Sequence, residues 1–194
     1  KKYVESDNPV MLVSSYYNEY RKKNILRFVM KLYHESNLED KIGYVVCDVD
    51  TKNLEKIMDK YRLEHSIAVA RKMVEIAEKM NLTESERKIC FLIGYNHDIG
   101  YEFTENGINH NKIGGELLRK SGFKYWKEIY YHGENDTEFT SKYLNILNQA
   151  DMQVDCYGND VGYDKRLEDI ENRYSKESKI YRKCYDLVKK LKEY

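Results

Sequence analysis

Proline is nearly absent: one residue in 194. A chain with so few helix breakers is free to form long helices, and an architecture of many short strands joined by proline-bearing turns is disfavoured. Cysteine is sparse as well. Cys47, Cys90, Cys156 and Cys184 form no C-x-x-C pair and no regular framework, which excludes a disulfide scaffold and a cysteine-built zinc site. Reduced thiols and a cytoplasmic location are expected, and Cys90 and Cys184 are expected on apolar helix faces. Net charge is missing too, with 33 basic against 33 acidic residues. That argues against a strongly basic nucleic-acid binder or a polybasic membrane-surface protein. The densest apolar run, Ile89 to Ile93, is far too short to cross a bilayer, and mean hydropathy is -0.80. No secretory signal is visible. The first residue is Lys1 rather than Met, so trimming at the start is expected.

What is present is helical periodicity. Ile25, Phe28, Val29 and Leu32 recur at helical spacing, as do Leu63, Ile67, Ala70, Val74 and Ala77, and Ile180, Cys184, Leu187, Val188 and Leu191. Thr83-x-x-Glu86 is a capping box at the head of the helix through Ile89–Ile93. Asp136 or Thr137 is expected to cap a helix running to about Asp151. The segment from Ile42 to Val49 is the exception, since Tyr44-Val45-Val46 reads as a short strand or a buried extended link. The expected fold is all-α with at most a minor hairpin. It comprises a helical extension over 1–60, a core over 61–175 and an amphipathic helix over 176–194 packed on the core. Hydrophobic residues at 41% support such a core.

Seven of the ten glycines lie between Gly94 and Gly133. Tight backbone geometry is therefore expected there. The histidines cluster in the same part of the chain. His65 shares a stripe with Val69, Met73, Ile76 and Met80; His97 continues Ile89 and Ile93; His110 sits with Ile113, Gly114 and Leu117; His132 follows Tyr125 and Ile129. Asp151 ends the row Phe139, Tyr143, Leu147. With Asp98 beside His97, six polar groups point inward from five helices. A single buried imidazole or carboxylate is usually satisfied by one neighbour, and as a lone residue each has that ordinary reading. Six together are harder to satisfy in pairs, whereas a shared divalent cation satisfies them all. Mixed imidazole and carboxylate suits iron, manganese, zinc or cobalt better than calcium. Helix neighbours diverge by about 100°, so His97 and Asp98 reach one ion only where the helix unwinds, and Gly100 is the expected break. The remaining histidine, His34, is expected at a helix end, where its charge offsets the dipole.

The order His65, His97-Asp98, Asp151, set in "EHSIAVARKM", "LIGYNHDIGY", "NHNKIGGELL", "IYYHGE" and "LNQADM", resembles the HD-domain superfamily of metal-dependent phosphohydrolases over roughly residues 61 to 175. The HDIG stretch with His110 and His132 resembles its six-ligand, two-metal subgroup. The resemblance implies a first ion held by His65, His97, Asp98 and Asp151, and a second held by His110 and His132, with Asp98 bridging. Iron or manganese is the expected pair of ions, with zinc, cobalt or magnesium as alternatives. The implied reaction is hydrolysis of a phosphate ester or anhydride of a small substrate, a nucleotide above all. Asp98 would orient the nucleophile, and Arg62, Lys112 and Arg166 are candidates to meet the phosphate. Two further readings stay open: an HD-type di-iron oxygenase with the same ligands, and a non-catalytic nucleotide-sensing module. Tyr101 stands where many relatives have Lys, and His132-Gly133 where some have paired histidines. Tyr16, Tyr17 and Tyr20 offer a surface for a homodimer. The 176–194 segment carries seven Lys or Arg against three Asp or Glu, and is expected to dock on its own domain, on a twin subunit or on an acidic partner.

Overall fold

The computed structural model describes residues 2–3, 45–46, 60–104, 107–120 and 123–193. Ile25–Leu32, His34, the tyrosines at 16, 17 and 20, and Cys47 lie outside the described residues. Two short strands, β1 (Lys2–Tyr3) and β2 (Val45–Val46), pair antiparallel with Lys2 opposite Val46. The other elements are helices: α1 (Lys60–Lys79), α2 (Glu84–Asn96), α3 (His110–Lys120), α4 (Trp126–Tyr131), α5 (Lys142–Asp151), α6 (Gly162–Tyr174) and α7 (Lys179–Leu191), with a 3-10 turn over Ile99–Phe103. The fold is all-α, and among the described residues no helix is long and apolar enough to cross a membrane.

The chain divides into two compact units, 1–59 with 116–126 and 60–115 with 127–194. In the first, Arg119 pairs with Glu116 at 2.8 Å and Phe123 meets Tyr125 edge to face. The second holds the candidate site. Its centre is a three-helix contact of α1, α2 and α5. Val69, Ala70, Met73 and Ala77 from α1 meet Cys90 and Ile93 from α2 and Ile146, Leu147 and Ala150 from α5, all of them essentially inaccessible to solvent. Burying each large apolar side chain contributes about 1.5–3 kcal/mol. Met80 leaves this stripe and is 47% exposed, because α1 ends at Lys79.

The helix starts follow capping chemistry. Thr83 accepts from the Glu86 N–H, and the Glu86 carboxylate accepts in turn from Thr83 N–H at 2.8 Å. The next expected cap is displaced. Thr137 accepts from Phe139 N–H in a local turn, and Ser141, whose hydroxyl accepts from Leu144 N–H, caps α5 instead. In α7 the buried face is Tyr181, Leu187, Val188 and Leu191, packed on Met152, Leu167 and Ile170. Ile180, expected on that face, is exposed. Lys183 and Lys190 of α7 and its C-cap Lys192 pair with Glu134, Asp136 and Asp164, so within its own unit this basic helix meets a partly acidic surface.

Candidate metal centre

Each of the six inward groups has a local reason for its position. His65 lies in the second turn of α1, on the buried stripe. α2 stops at Asn96, and His97 is its C-cap. Asp98 has left helical geometry, at φ -96 and ψ 9, so the two neighbouring side chains converge. The unwinding precedes Gly100, which has a different task from the expected one. A Cβ there would lie 1.8 Å from the His110 carbonyl oxygen and 2.7 Å from Gly114 N, so only glycine lets the 3-10 turn lie against the start of α3. His110 opens α3, His132 directly follows α4, and Asp151 is the last residue of α5. Gly133, at φ +71, ends the α4 turn in the left-handed region that favours glycine. Its N–H is donated to Asn148 Oδ1.

Backbone carbonyls set the tautomer of all four rings. Nδ1 of His65 lies 2.8 Å from Asp155 O, that of His97 2.6 Å from Gly94 O, that of His110 3.0 Å from Gly107 O and that of His132 2.6 Å from Ile129 O. A carbonyl can only accept, so each Nδ1 carries the hydrogen, and in the neutral ring each Nε2 presents a lone pair. Those four Nε2 atoms surround Asp98. Its Oδ1 lies 3.4 Å from His97, 3.3 Å from His110 and 3.8 Å from His132, and its Oδ2 3.8 Å from His65. Asp151 Oδ1 is 3.1 Å from His65 Nε2 and 3.7 Å from His97 Nε2. Three trios each bring one donor atom per residue within 4.8 Å of one another: His65, His97 and Asp98; His97, His132 and Asp151; Asp98, His110 and His132. His97 Nε2 is buried with no hydrogen-bond partner. These residues fit a divalent cation. An orphaned imidazole nitrogen, held by a carbonyl on its far side and faced by carboxylates, is the donor set such an ion takes.

Electrostatics sort the groups. Burial disfavours charge on His97, but Asp98 and Asp151 outweigh it and raise its pKa to about 9. Burial, aided by His110 and His97, lowers His132 to about 4. Burial likewise lowers His110, against the pull of Asp98. Asp98 stays well below the usual carboxylate range despite its burial, because His97, His110, Arg62 and His65 surround it.

The candidate phosphate contacts separate. Arg62 Nη1 is donated to Asp98 Oδ2 at 2.8 Å, and its guanidinium lies 3.6 Å above the Tyr101 ring, which stacks on His110. A cavity of about 380 Å³ opens on the cluster, lined by Arg62, Tyr101 and Arg166 among others. Lys112 is exposed and does not line it. Sequence reasoning missed Arg173 and Lys183, which also line the cavity. It missed Asn111 too, which donates to the His132 carbonyl and to Glu134. The helical spacing that brings Arg173 two turns after Arg166 was the available signal.

Residues 62–178, more than half of the chain, match the family model of the HD domain. The chain belongs to the HD domain family. Proteins of this family are generally metal-dependent hydrolases. No curated protein and no solved structure matches the chain. The one His-Asp dipeptide within the matched residues is His97-Asp98, and the buried His/Asp groups compatible with a divalent metal include both residues.

Proposed function

We propose that this HD domain is a phosphohydrolase that cleaves a phosphate ester or anhydride of a small molecule, a nucleotide in the first instance, by attack of a water. His65, His97, Asp98 and Asp151 would hold one divalent ion, and Asp98, His110 and His132 a second, iron or manganese before zinc, cobalt or magnesium. The observation that carries this reading is the position of Asp98, whose two oxygens face all four Nε2 atoms within 3.8 Å. When bound, such ions lower the pKa of water toward neutrality and offset charge on the phosphoryl oxygens. The chain's own residues do the rest. The Nδ1–H bonds to backbone carbonyls keep the four Nε2 atoms aimed inward. Asp98 spans both groups of histidines and orients the attacking water. Arg62, on the open side of Asp98 with 29% of its side chain exposed, is placed to meet a phosphate oxygen. Tyr101 holds that guanidinium by stacking.

The test is metal analysis of the purified protein together with phosphate release from a panel of phosphate esters and nucleotides, with and without chelator. Bound metal with chelator-sensitive phosphate release is expected, and Asp98→Asn should abolish both. Metal with oxygen consumption and no phosphate release would replace this reading with the oxygenase. Failure to bind metal at saturation would leave a sensing module.

A further inference from the structure

The cavity that opens on the six-residue cluster continues beyond it. Its lining also includes Arg166, Arg173 and Tyr174 from α6 and Ile180 and Lys183 from α7. Arg166 is only 9% exposed. Among the described residues its Nη1 is paired, with Asp169 Oδ2 at 2.8 Å, while its Nε is buried with no hydrogen-bond partner. A guanidinium has five donors and keeps its charge in proteins, so donors left unpaired in a buried position carry a desolvation cost.

Asp169 does not neutralise this wall. The same Oδ2 accepts from Arg173 Nη2 at 2.7 Å, so one carboxylate serves two guanidinium groups. Asp155 also feels Arg166, and its carboxylate accepts from the N–H groups of Tyr157 and Asn159. Lys183 is answered by Glu134 at 2.9 Å. Arg166 and Arg173 thus share one carboxylate, and both line the cavity that opens on the cluster. Met152, Ile170 and Leu187 line the same cavity and offer an apolar surface.

We infer that the cavity takes a substrate with two anionic ends: one phosphate at the histidine–aspartate cluster and a second phosphate at Arg166 and Arg173, joined by an apolar or planar midsection over Met152, Ile170 and Leu187. The role of the first end rests on the phosphohydrolase reading; the second end rests on the Arg166 wall alone. Guanidinium groups bind phosphate through paired, charge-assisted hydrogen bonds, which Arg166 and Arg173, sharing the Asp169 carboxylate, would offer to a second phosphate.

The experiment is a calorimetric binding series on the metal-loaded protein. The ligands are alkane bisphosphonates of increasing chain length, each compared with the alkyl monophosphonate of the same length. Their C–P bonds are not hydrolysed as esters, so binding is read without turnover. At one chain length the bisphosphonate is expected to bind at least tenfold more tightly than its monophosphonate. Arg166→Gln should bring that ratio near one, and Arg166→Lys should retain part of it. No preference at any length in the wild-type protein overturns the inference even if Arg166→Gln fails to fold. A preference that persists in folded Arg166→Gln and Arg173→Gln proteins overturns it as well. Phosphate release from esters is scored separately: a bisphosphonate preference without turnover keeps the second site and rejects the phosphohydrolase reading.

Discussion

Nε2 of His110 lies 3.3 Å from Nε2 of His132, and each ring already donates its Nδ1–H to a carbonyl, Gly107 O and Ile129 O respectively. In the neutral rings two lone pairs then face each other in a buried site. A shared proton would relieve this only by charging a ring, and burial opposes charge on both. A cation between the lone pairs and Asp98 resolves the conflict. His110→Ala or His132→Ala is therefore expected to lower the metal content to about half, while His65→Ala, His97→Ala and Asp151→Ala lose the first ion and Asp98→Ala, which removes a ligand of both, loses the first ion and the second with it. Elemental analysis of the purified variants beside the wild-type protein checks this, and wild-type metal content in all six would reject the assignment. Chelation should also lower the thermal midpoint of the wild-type protein, because binding free energy is linked to folding.

The metal-free protein should show a two-sided pH dependence. His132 is depressed from about 6.5 to about 4. Below about pH 6.5 the unfolded chain takes up a proton that the folded chain refuses, so stability falls as pH drops from there toward 4. His97 is raised to about 9. Its contribution is complete below about pH 6.5 and is lost as pH climbs through 9. Each effect is of the order of a few kcal/mol, so thermal midpoints in chelator should peak near neutrality. His132→Gln should flatten the acid limb and His97→Gln the alkaline limb. An unchanged acid limb in the folded His132→Gln protein would contradict the assignment.

The helical architecture was legible because apolar spacing, the Thr83–Glu86 capping box and the scarcity of proline all point the same way. The inward stripes carrying His65, His97, His110, His132 and Asp151 were legible for the same reason, and the structure brings their donor atoms together with Asp98. What the sequence does not carry is set by tertiary packing. The carbonyl that receives His65 Nδ1 belongs to Asp155, 90 residues away. Ser141 rather than Asp136 or Thr137 caps α5 because the helix begins only at Lys142, and Thr137 makes a local turn instead by accepting from Phe139 N–H. Lys112 points outward although it lies two residues after His110, since neighbours on a helix diverge. The burial of Arg166 depends on α7 and on Asp169, and no spacing in α6 alone reveals it.

Gly100 tests how the 3-10 turn places His110. A methyl group there would overlap the His110 carbonyl, so the turn and the start of α3 must separate. Gly100→Ala is expected to cost about 1–3 kcal/mol, as overpacked sites do. It should also weaken binding of the ion that His110 holds more than that of the other. Chemical denaturation with metal titration measures both. A variant with wild-type stability would show that the contact is not required.

Thr83→Ala serves as the contrasting substitution. It removes the N-cap of α2 at the end of the helix opposite His97, and caps of this kind contribute about 1 kcal/mol. Denaturant midpoints should fall accordingly while metal content stays at the wild-type level. Metal loss in a folded Thr83→Ala protein would mean that the start of α2, and not only its unwound end, sets the cluster.

Arg62 separates holding a metal from holding a phosphate. Its guanidinium neutralises Asp98 Oδ2 at 2.8 Å and is braced by the Tyr101 ring. Yet it cannot ligate a cation, and its like charge repels one. Arg62→Gln is therefore expected to leave metal content intact. If Arg62 meets the substrate phosphate, the same variant should raise KM for a phosphate ester by roughly tenfold, the scale of one lost charge-assisted hydrogen bond, with a smaller change in kcat. Arg62→Lys should recover part of the KM, because the charge returns without the planar fork that the Tyr101 stack supports. Tyr101→Leu should act in the same direction by loosening the guanidinium. Steady-state kinetics beside elemental analysis decide the matter: an unchanged KM in Arg62→Gln with full metal content would remove Arg62 from the phosphate site and leave it as the counter-ion of Asp98 alone.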